Sequence, residues 1–395
     1  MAIRDTIAAY VERQWPVYRQ LALDIHANPE VSNYEFFACA RLSEQLKKEG
    51  FEVAVDVAGH RTGFTGVYKA AKPGPVLVFL AEYDALAGLD HGCGHNLFGP
   101  TSLLAAAALK QVIDQVGGEV RVYGTPGEEG GENGSAKGSF VREGLFKDVD
   151  AALCVHPGDK HEASGKNLAC APVNIEFWGK PAHAAAAPEQ GINALDALIL
   201  TYNGINALRQ HVTPDVRIHG IVTSGGDAPN IVPAYAAAKF FLRAATVPKL
   251  EALYQRVEKI VEGAALMTGA KGKLQPSQNR VDNMVPTPSF DAVYGKELAG
   301  LGETMLPPDE GCGIGSSDVG NVSQAVPTIQ PTICITDGPT PWHTEQSKAA
   351  SKSEKGLASI ALGAKALALT ALDLIEDPAL LTAVKADHAQ AVARQ

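Results

Sequence analysis

Short apolar runs that each lead into a loop carrying metal-donor side chains set the strongest limit on what this chain can fold into. Four such runs, residues 76–81, 119–123, 151–155 and 332–335, have the length and composition of buried strands. Helical patterns lie between or after them, notably over residues 101–116 and 355–375. Strands alternating with helices predict an α/β fold, a mostly parallel sheet with helices on both faces. In such sheets ligands collect beyond the carboxyl ends of the strands.

Midway the rhythm changes. Residues 172–178 read as a strand and 191–209 as a helix, followed by strands at 216–223 and 235–243. A helix over 248–267 comes next, with proline at its first position, where a missing N–H costs nothing. A last strand lies near Leu274. This β-α-β-β-α-β order predicts a ferredoxin-like α+β domain inserted into the first. A length of 395 residues exceeds one ordinary core. The expected division is therefore residues 1–171 with 285–395 as one domain and 172–284 as the insert.

The net charge is −10 with no basic cluster, which argues against nucleic acid as a partner. An anionic substrate then needs a local basic site. The first twenty residues read as an amphipathic helix interrupted by charge, with no apolar stretch of the kind a secretory signal needs. Residues 358–375 are apolar but carry Lys365 and Asp373 at helical spacing, which predicts a packed helix and not a membrane span. The compartment expected from these features is the cytoplasm. Six cysteines, at 39, 93, 154, 170, 312 and 334, lack the paired short spacings of a disulfide framework. Most are expected to be small buried residues, with Cys93 as the exception.

Cys93 and His95 sit in the run His91-Gly92-Cys93-Gly94-His95-Asn96, shortly after Glu82-Tyr83-Asp84. Glycines on either side allow the tight backbone that lets sulfur and imidazole reach one metal centre. A buried cysteine beside a satisfied loop histidine is the plainer alternative. After the second run come Glu128 and Glu129 between glycines. Read chemically, one would ligate a metal and the other would take a proton from an attacking water; read plainly, they form a solvated acidic turn. His156 and His343, each alone, favour structural roles. Joint placement changes the balance, because four donor-bearing segments then fall past the ends of predicted strands, and two cations need about that many ligands.

With these residues in place the sequence resembles the aminoacylase, indole-acetyl-amino-acid hydrolase and aminobenzoyl-glutamate hydrolase family of two-metal metallopeptidases. The resemblance runs from a helix over residues 23–50, with His26, Pro29, Glu30 and Glu35, through residues 91–96, 124–131 and His156. It continues over residues 179–184 and 191–194 and ends with residues 315–320 and 343–345. It implies that Cys93, His95, Glu129, His156 and His343 hold two divalent ions per subunit, zinc or manganese with cobalt as a substitute, and that Cys93 bridges them. It implies that Glu128 is the general base and later the proton donor to the leaving amine, with Asp84 orienting a ligand. The insert becomes a dimerisation and lid domain, and His183 reaches the partner's active site to stabilise the oxyanion. Asn230 and Arg243 match residues that grip a substrate carboxylate, with Ser316 or Ser317 beside them. Asn96 stands where many relatives carry aspartate, and Glu82 where others carry aspartate or histidine. Both choices resemble the branch holding aminobenzoyl-glutamate hydrolase and the aminoacylase-like dipeptidases.

The expected function is hydrolysis of the amide bond of an N-acyl amino acid, a dipeptide or an aminobenzoyl-glutamate-like compound with a free carboxylate, by a homodimer or a pair of dimers. Two alternatives stand beside it: a hydrolytic deaminase or other amidohydrolase on the same scaffold, and a non-catalytic binding protein with a decayed site.

Overall fold

The computed structural model describes residues 2–131, 133–309 and 315–395. The chain opens with helix α1 (Ile3–Ala27) and helix α2 (Phe36–Lys48). The single helix expected over 23–50 is thus two. Pro29 disfavours helical backbone in the residue before it, and Asn33 takes a left-handed φ of 62°, so residues 28–35 form a loop. Strands β1 (Glu52–Val57) and β2 (His60–Lys69) follow as an antiparallel hairpin absent from the sequence reading. Their turn is Ala58-Gly59, both at positive φ. That geometry favours a tight hairpin, but it is usually announced by Asn-Gly or Asp-Gly.

Strand β3 (Val76–Ala81), helix α3 (His95–Val116) and strand β4 (Glu119–Gly124) come next, then helix α4 (Ala136–Arg142). Helix α3 starts six residues before its expected position, with Pro100 inside its second turn. Strand β5 (Ala151–Leu153) is shorter than the apolar run that announced it, and the chain continues into β6 (His156–Gly158).

The inserted elements are β7 (Ala169–Trp178), α5 (Ala194–Leu208), β8 (Arg217–Ser224), β9 (Tyr235–Ala244), α6 (Val247–Thr268) and β10 (Lys271–Pro276). They form an antiparallel sheet in the order β10-β7-β9-β8. Phe177, Ala238, Phe240 and Leu242 face α5 and α6 in a separate core with Leu198, Leu253 and Val257. Residues 167–283, with Gln395, make one compact unit, and residues 1–166 with 284–394 make the other.

The chain returns through α7 (Pro288–Gly300), α8 (Val319–Ala325), β11 (Thr328–Ile329), β12 (Thr332–Cys334), α9 (Glu345–Ala350), α10 (Glu354–Glu376) and α11 (Pro378–Ala393). The larger unit is built on a six-stranded sheet, β1-β2-β4-β3-β5-β11. Strands β4, β3, β5 and β11 run parallel, and the β1–β2 edge is antiparallel. Leu77, Phe79 and Ala81 of β3 pack with α1, α3 and α10, while Val78 and Leu80 pack on the opposite face with Phe140 of α4 and Val319 and Val322 of α8. One expectation fails here. The run at 332–335 does not join this sheet; β12 pairs with β6 in a separate two-stranded ribbon, and β11 takes the edge. Helix α10 is long and apolar enough to cross a membrane, yet 78% of its apolar window is buried inside the fold, as expected of a core helix.

Candidate metal centre

Past the end of β3 the chain continues as Glu82-Tyr83-Asp84, all three buried. Asp84 is a junction. Its Oδ1 lies 2.9 Å from His95 Nδ1, and its Oδ2 accepts from Ser32 Oγ at 3.0 Å and from the Glu129 N–H at 2.9 Å. One carboxylate therefore fixes both an imidazole and the backbone of an acidic residue, which directs His95 Nε2 away from it.

Gly94 caps α3 at φ 78°, and a Cβ there would meet Pro157 at 3.0 Å. Only glycine turns the chain this sharply at such a close approach, and the turn sets Cys93 and His95 together. Gly127, Gly130 and Gly131, at φ 75°, 97° and 85°, fold the loop after β4 back on itself. Its ends are tied by Ser135 N–H to Gly127 O at 2.6 Å and Ala136 N–H to Pro126 O at 3.1 Å. His156 opens β6, with Nδ1 2.7 Å from Pro157 O, leaving Nε2 to face Cys93 Sγ at 3.6 Å. His343 arrives from beyond the separate ribbon and not from the main sheet. It has a left-handed φ of 58°, a strained conformation for a non-glycine residue of a kind that clusters at functional sites. Its N–H donates to Gly92 O at 3.3 Å, and its Nε2 lies 3.3 Å from Glu129 Oε1.

The structure thus brings together Cys93, His95, Glu128, Glu129, His156 and His343. Their donor atoms form three groups, each within 4.8 Å: Cys93–His95–His156, Cys93–Glu129–His343 and His95–Glu128–Glu129. Two chemical facts fit cations here. His95 Nε2 and Glu129 Oε1 are buried, and their 3.3 Å contacts with Glu82 and His343 lack hydrogen-bond geometry, so a cation would satisfy donors that are otherwise poorly met. The 3.3 and 3.6 Å separations also match neighbouring donors around a tetrahedral ion, given metal–donor lengths of roughly 2.0–2.3 Å. Burial, with Glu129 adding to it and His95 opposing, pushes the Cys93 thiol well up; a coordinated thiol is deprotonated outright. Burial, then Glu129 and Glu82, likewise raises the Glu128 carboxyl well above the ordinary range. The His343 ring is raised chiefly by its contact with Glu129.

Asn96 is not part of the centre. Fully buried, it donates through Nδ2 to Ala22 O at 3.3 Å and Ser351 O at 2.9 Å, which an aspartate could not do. Sequence reasoning gave no role to Glu82, Lys137 or Asp318, which form a buried ionic chain next to His95. Glu35 also went unassigned; it accepts from Thr62 Oγ1 at 2.8 Å and Gly127 N–H at 3.0 Å beneath the acidic loop. A lone lysine gives no sequence signal for burial, whereas Asp318 and Glu35 did sit in motifs already singled out. Ser317 Oγ accepts from Val319 N–H at 3.4 Å at the start of α8, and Ser316 is half-buried beside it. Cys39, Cys154 and Cys170 are buried and Cys334 is half-buried; Cys312 lies outside the described residues.

In the smaller unit, β7 and the segment before β9 run on together past Trp178 and Tyr235. His183 pairs there with Ile231 in an antiparallel bridge, and the Ala184 N–H donates to Asn230 O at 3.0 Å. His183 and Asn230 are therefore neighbours. Arg243 lies at the other end of β9, opposite Cys170 and Arg217, where its Nε donates to His219 Nε2 at 3.3 Å.

Residues 170–267 match the model of the M20 peptidase dimerisation domain. The chain is similar to a Xaa-Arg dipeptidase of Mus musculus, 36% identical over 78% of this chain and 72% of the relative. It is also similar to one of the p-aminobenzoyl-glutamate hydrolase subunits of Escherichia coli (strain K12), 33% identical over 98% of this chain and 94% of the relative. Among solved structures, a dinuclear metal-binding peptidase of the M20 family from Bacillus subtilis shares the fold, with a TM-score of 0.61 at 19% identity, covering 92% of this chain and 99% of that one.

Proposed function

The chain belongs to the M20 family of peptidases, and on that premise we propose that it cleaves the amide bond of a small substrate with a free carboxylate. Dipeptides, N-acyl amino acids and aminobenzoyl-glutamate-like compounds are the substrate class. The observation that carries this reading is Cys93, whose sulfur belongs to two donor groups at once. Cys93, His95, Glu129, His156 and His343 would hold two divalent ions, zinc or manganese with cobalt as a substitute, with the sulfur shared. Once bound, the ions supply Lewis-acid activation of a water and of the scissile carbonyl.

The remaining chemistry belongs to the chain. Glu128 takes the proton of the attacking water and later delivers it to the departing amine. Asp84 holds His95 and the Glu129 backbone in register. His183 of a partner subunit meets the developing oxyanion, while Arg243 and Asn230 hold the carboxylate and fix the reacting geometry, with Ser316 or Ser317 beside them. The working form is a homodimer or a pair of dimers, and its compartment is the cytoplasm.

A product-detected screen after metal reconstitution tests this reading. Xaa-Arg and β-alanyl dipeptides, N-acyl amino acids, aminobenzoyl-glutamate and aryl amines would be compared. Turnover of at least one carboxylate-bearing amide is expected, with Glu128→Gln lowering kcat by 100-fold or more, on the order of a lost general base, while metal content stays near wild type. Deamination of the aryl amines alone would replace peptidase with deaminase, and wild-type turnover by Glu128→Gln would remove the base assignment.

A further inference from the structure

Three ionisable groups with no role in the mechanism above meet inside the larger unit with no exposed surface: Glu82, Lys137 and Asp318. They come from three places, the segment just past β3, the first turn of α4, and the residue capping α8. Lys137 Nζ lies 2.5 Å from Asp318 Oδ1 and 2.8 Å from Glu82 Oε1, the latter an ion contact without the alignment of a hydrogen bond. The other oxygen of Glu82 is buried without a hydrogen-bond partner and lies 3.3 Å from His95 Nε2, the nitrogen turned away from Asp84.

A buried charged trio is costly, and replacing one by apolar residues is often neutral or stabilising. Fold stability alone therefore explains it poorly. Its placement offers a better reason. Glu82 spans the gap between Lys137 and His95, with one oxygen on each. Burial works against the Lys137 charge, but Asp318, Glu82 and Glu128 more than offset it and hold the proton on. Lys137 also stands directly after the loop bearing Glu128 and Glu129, whose closing hydrogen bonds end at Ser135 and Ala136. Pinning Lys137 pins that loop.

We propose that Lys137 is a positioning residue of the metal centre, holding Glu82 with its free oxygen against His95 and fixing the end of the loop that carries Glu128 and Glu129. The inference rests on the reading of His95 and Glu129 as metal donors. Glu82 acts by fixing charge beside His95, and Lys137 acts only through Glu82 and the loop. Lys137→Met would leave Glu82 free to turn; Lys137→Arg keeps a cation but changes its shape.

The test uses the full chain, wild type against Lys137→Met, Lys137→Arg and Glu82→Gln. Metal bound per chain is measured by elemental analysis, affinity by competition with a chelator, and the site by its cobalt absorption spectrum, with kcat and KM measured alongside. Wild type must first bind two ions; if it binds none, the donor reading fails and not this one. Given two, Lys137→Met and Glu82→Gln are each expected to weaken at least one ion by tenfold or more and to change the cobalt spectrum. The kcat should fall more than KM rises, and Lys137→Arg should recover part of the affinity. A lower melting temperature in Lys137→Met with wild-type metal affinity and spectrum would make the trio structural only and overturn the proposal. So would a Glu82→Gln protein indistinguishable from wild type, and that comparison still decides if Lys137→Met does not fold.

Discussion

Glu35 shows how a residue can matter to this centre without donating to it. Its carboxyl is fully buried, and burial, then the nearby charge of Asp84, raises it to about 8. Since the folded value lies above the unfolded one, the folded protein holds a proton there that the unfolded chain gives up. The resulting stability is complete below about 4.5 and is lost as pH rises through about 8. Glu35→Gln removes the titration while keeping a neutral polar group of the same shape. The variant should melt close to wild type at pH 5 and above it at pH 9, by an amount on the order of a few kcal/mol. Melting curves across that range check this; a difference that does not change with pH would show that Glu35 ionises freely. Residues of this kind are also where the sequence was least legible. Cys93, His95, Glu128 and Glu129 stand out because their types are rare in glycine-rich loops after strands. Lys137 looks like an ordinary surface residue until tertiary packing buries it, and Glu35, though inside a recognised motif, carries no sign of its burial.

Among the elements, legibility followed burial. Strands β3 and β4 lie in the sheet interior, β3 as a continuous apolar run and β4 with Val120, Val122 and Tyr123 buried, so their limits were readable nearly to the residue. The β1–β2 hairpin was not, because β1 is largely exposed and its turn lacks the usual dipeptide. The start of α3 was hidden by Pro100, and β12 could not be told from a main-sheet strand because so short a run carries no information about its partner. The hairpin nevertheless supports the site, through Thr62 and through Phe64. Phe64 of β2 pairs with Gly124 at the end of β4, and its ring lies where a Cβ on Gly124 would fall, 2.1–2.4 Å from that point. The same ring stacks on Tyr83 at 5.7 Å, between Glu82 and Asp84. Gly124→Ala must displace the ring, and the expected loss is about 1–3 kcal/mol of stability, read from the denaturant midpoint. In a Phe64→Ala background the same change should cost almost nothing, because the clash has been removed. Equal losses in both backgrounds would place the strain elsewhere.

At the scale of the whole molecule, the smaller unit poses a problem of reach that a single chain does not solve. The order β10-β7-β9-β8 is the one expected of a ferredoxin-like insert, and it sets His183 and Asn230 beyond one end of β9 and Arg243 near the other. Arg243 lies eight residue steps along β9 from Tyr235, a span of roughly 26 Å at the usual rise. A dipeptide or acyl amino acid is far shorter than that. If His183, Asn230 and Arg243 all touch one substrate, they must come from two copies of the chain. Complementation reads this directly. His183→Ala and Glu128→Gln are each expected to be almost inactive alone. When subunits are exchanged between them, a mixed dimer has one doubly defective site and one with an intact Glu128 facing an intact partner His183. Random pairing makes half the dimers mixed with one working site in each, so about a quarter of wild-type activity should return. Exchange confirmed by mass spectrometry with no activity recovered would place His183 in its own subunit's site or outside catalysis. The substrate contacts would then have to be sought within one chain, where Arg243 and Asn230 cannot both be among them.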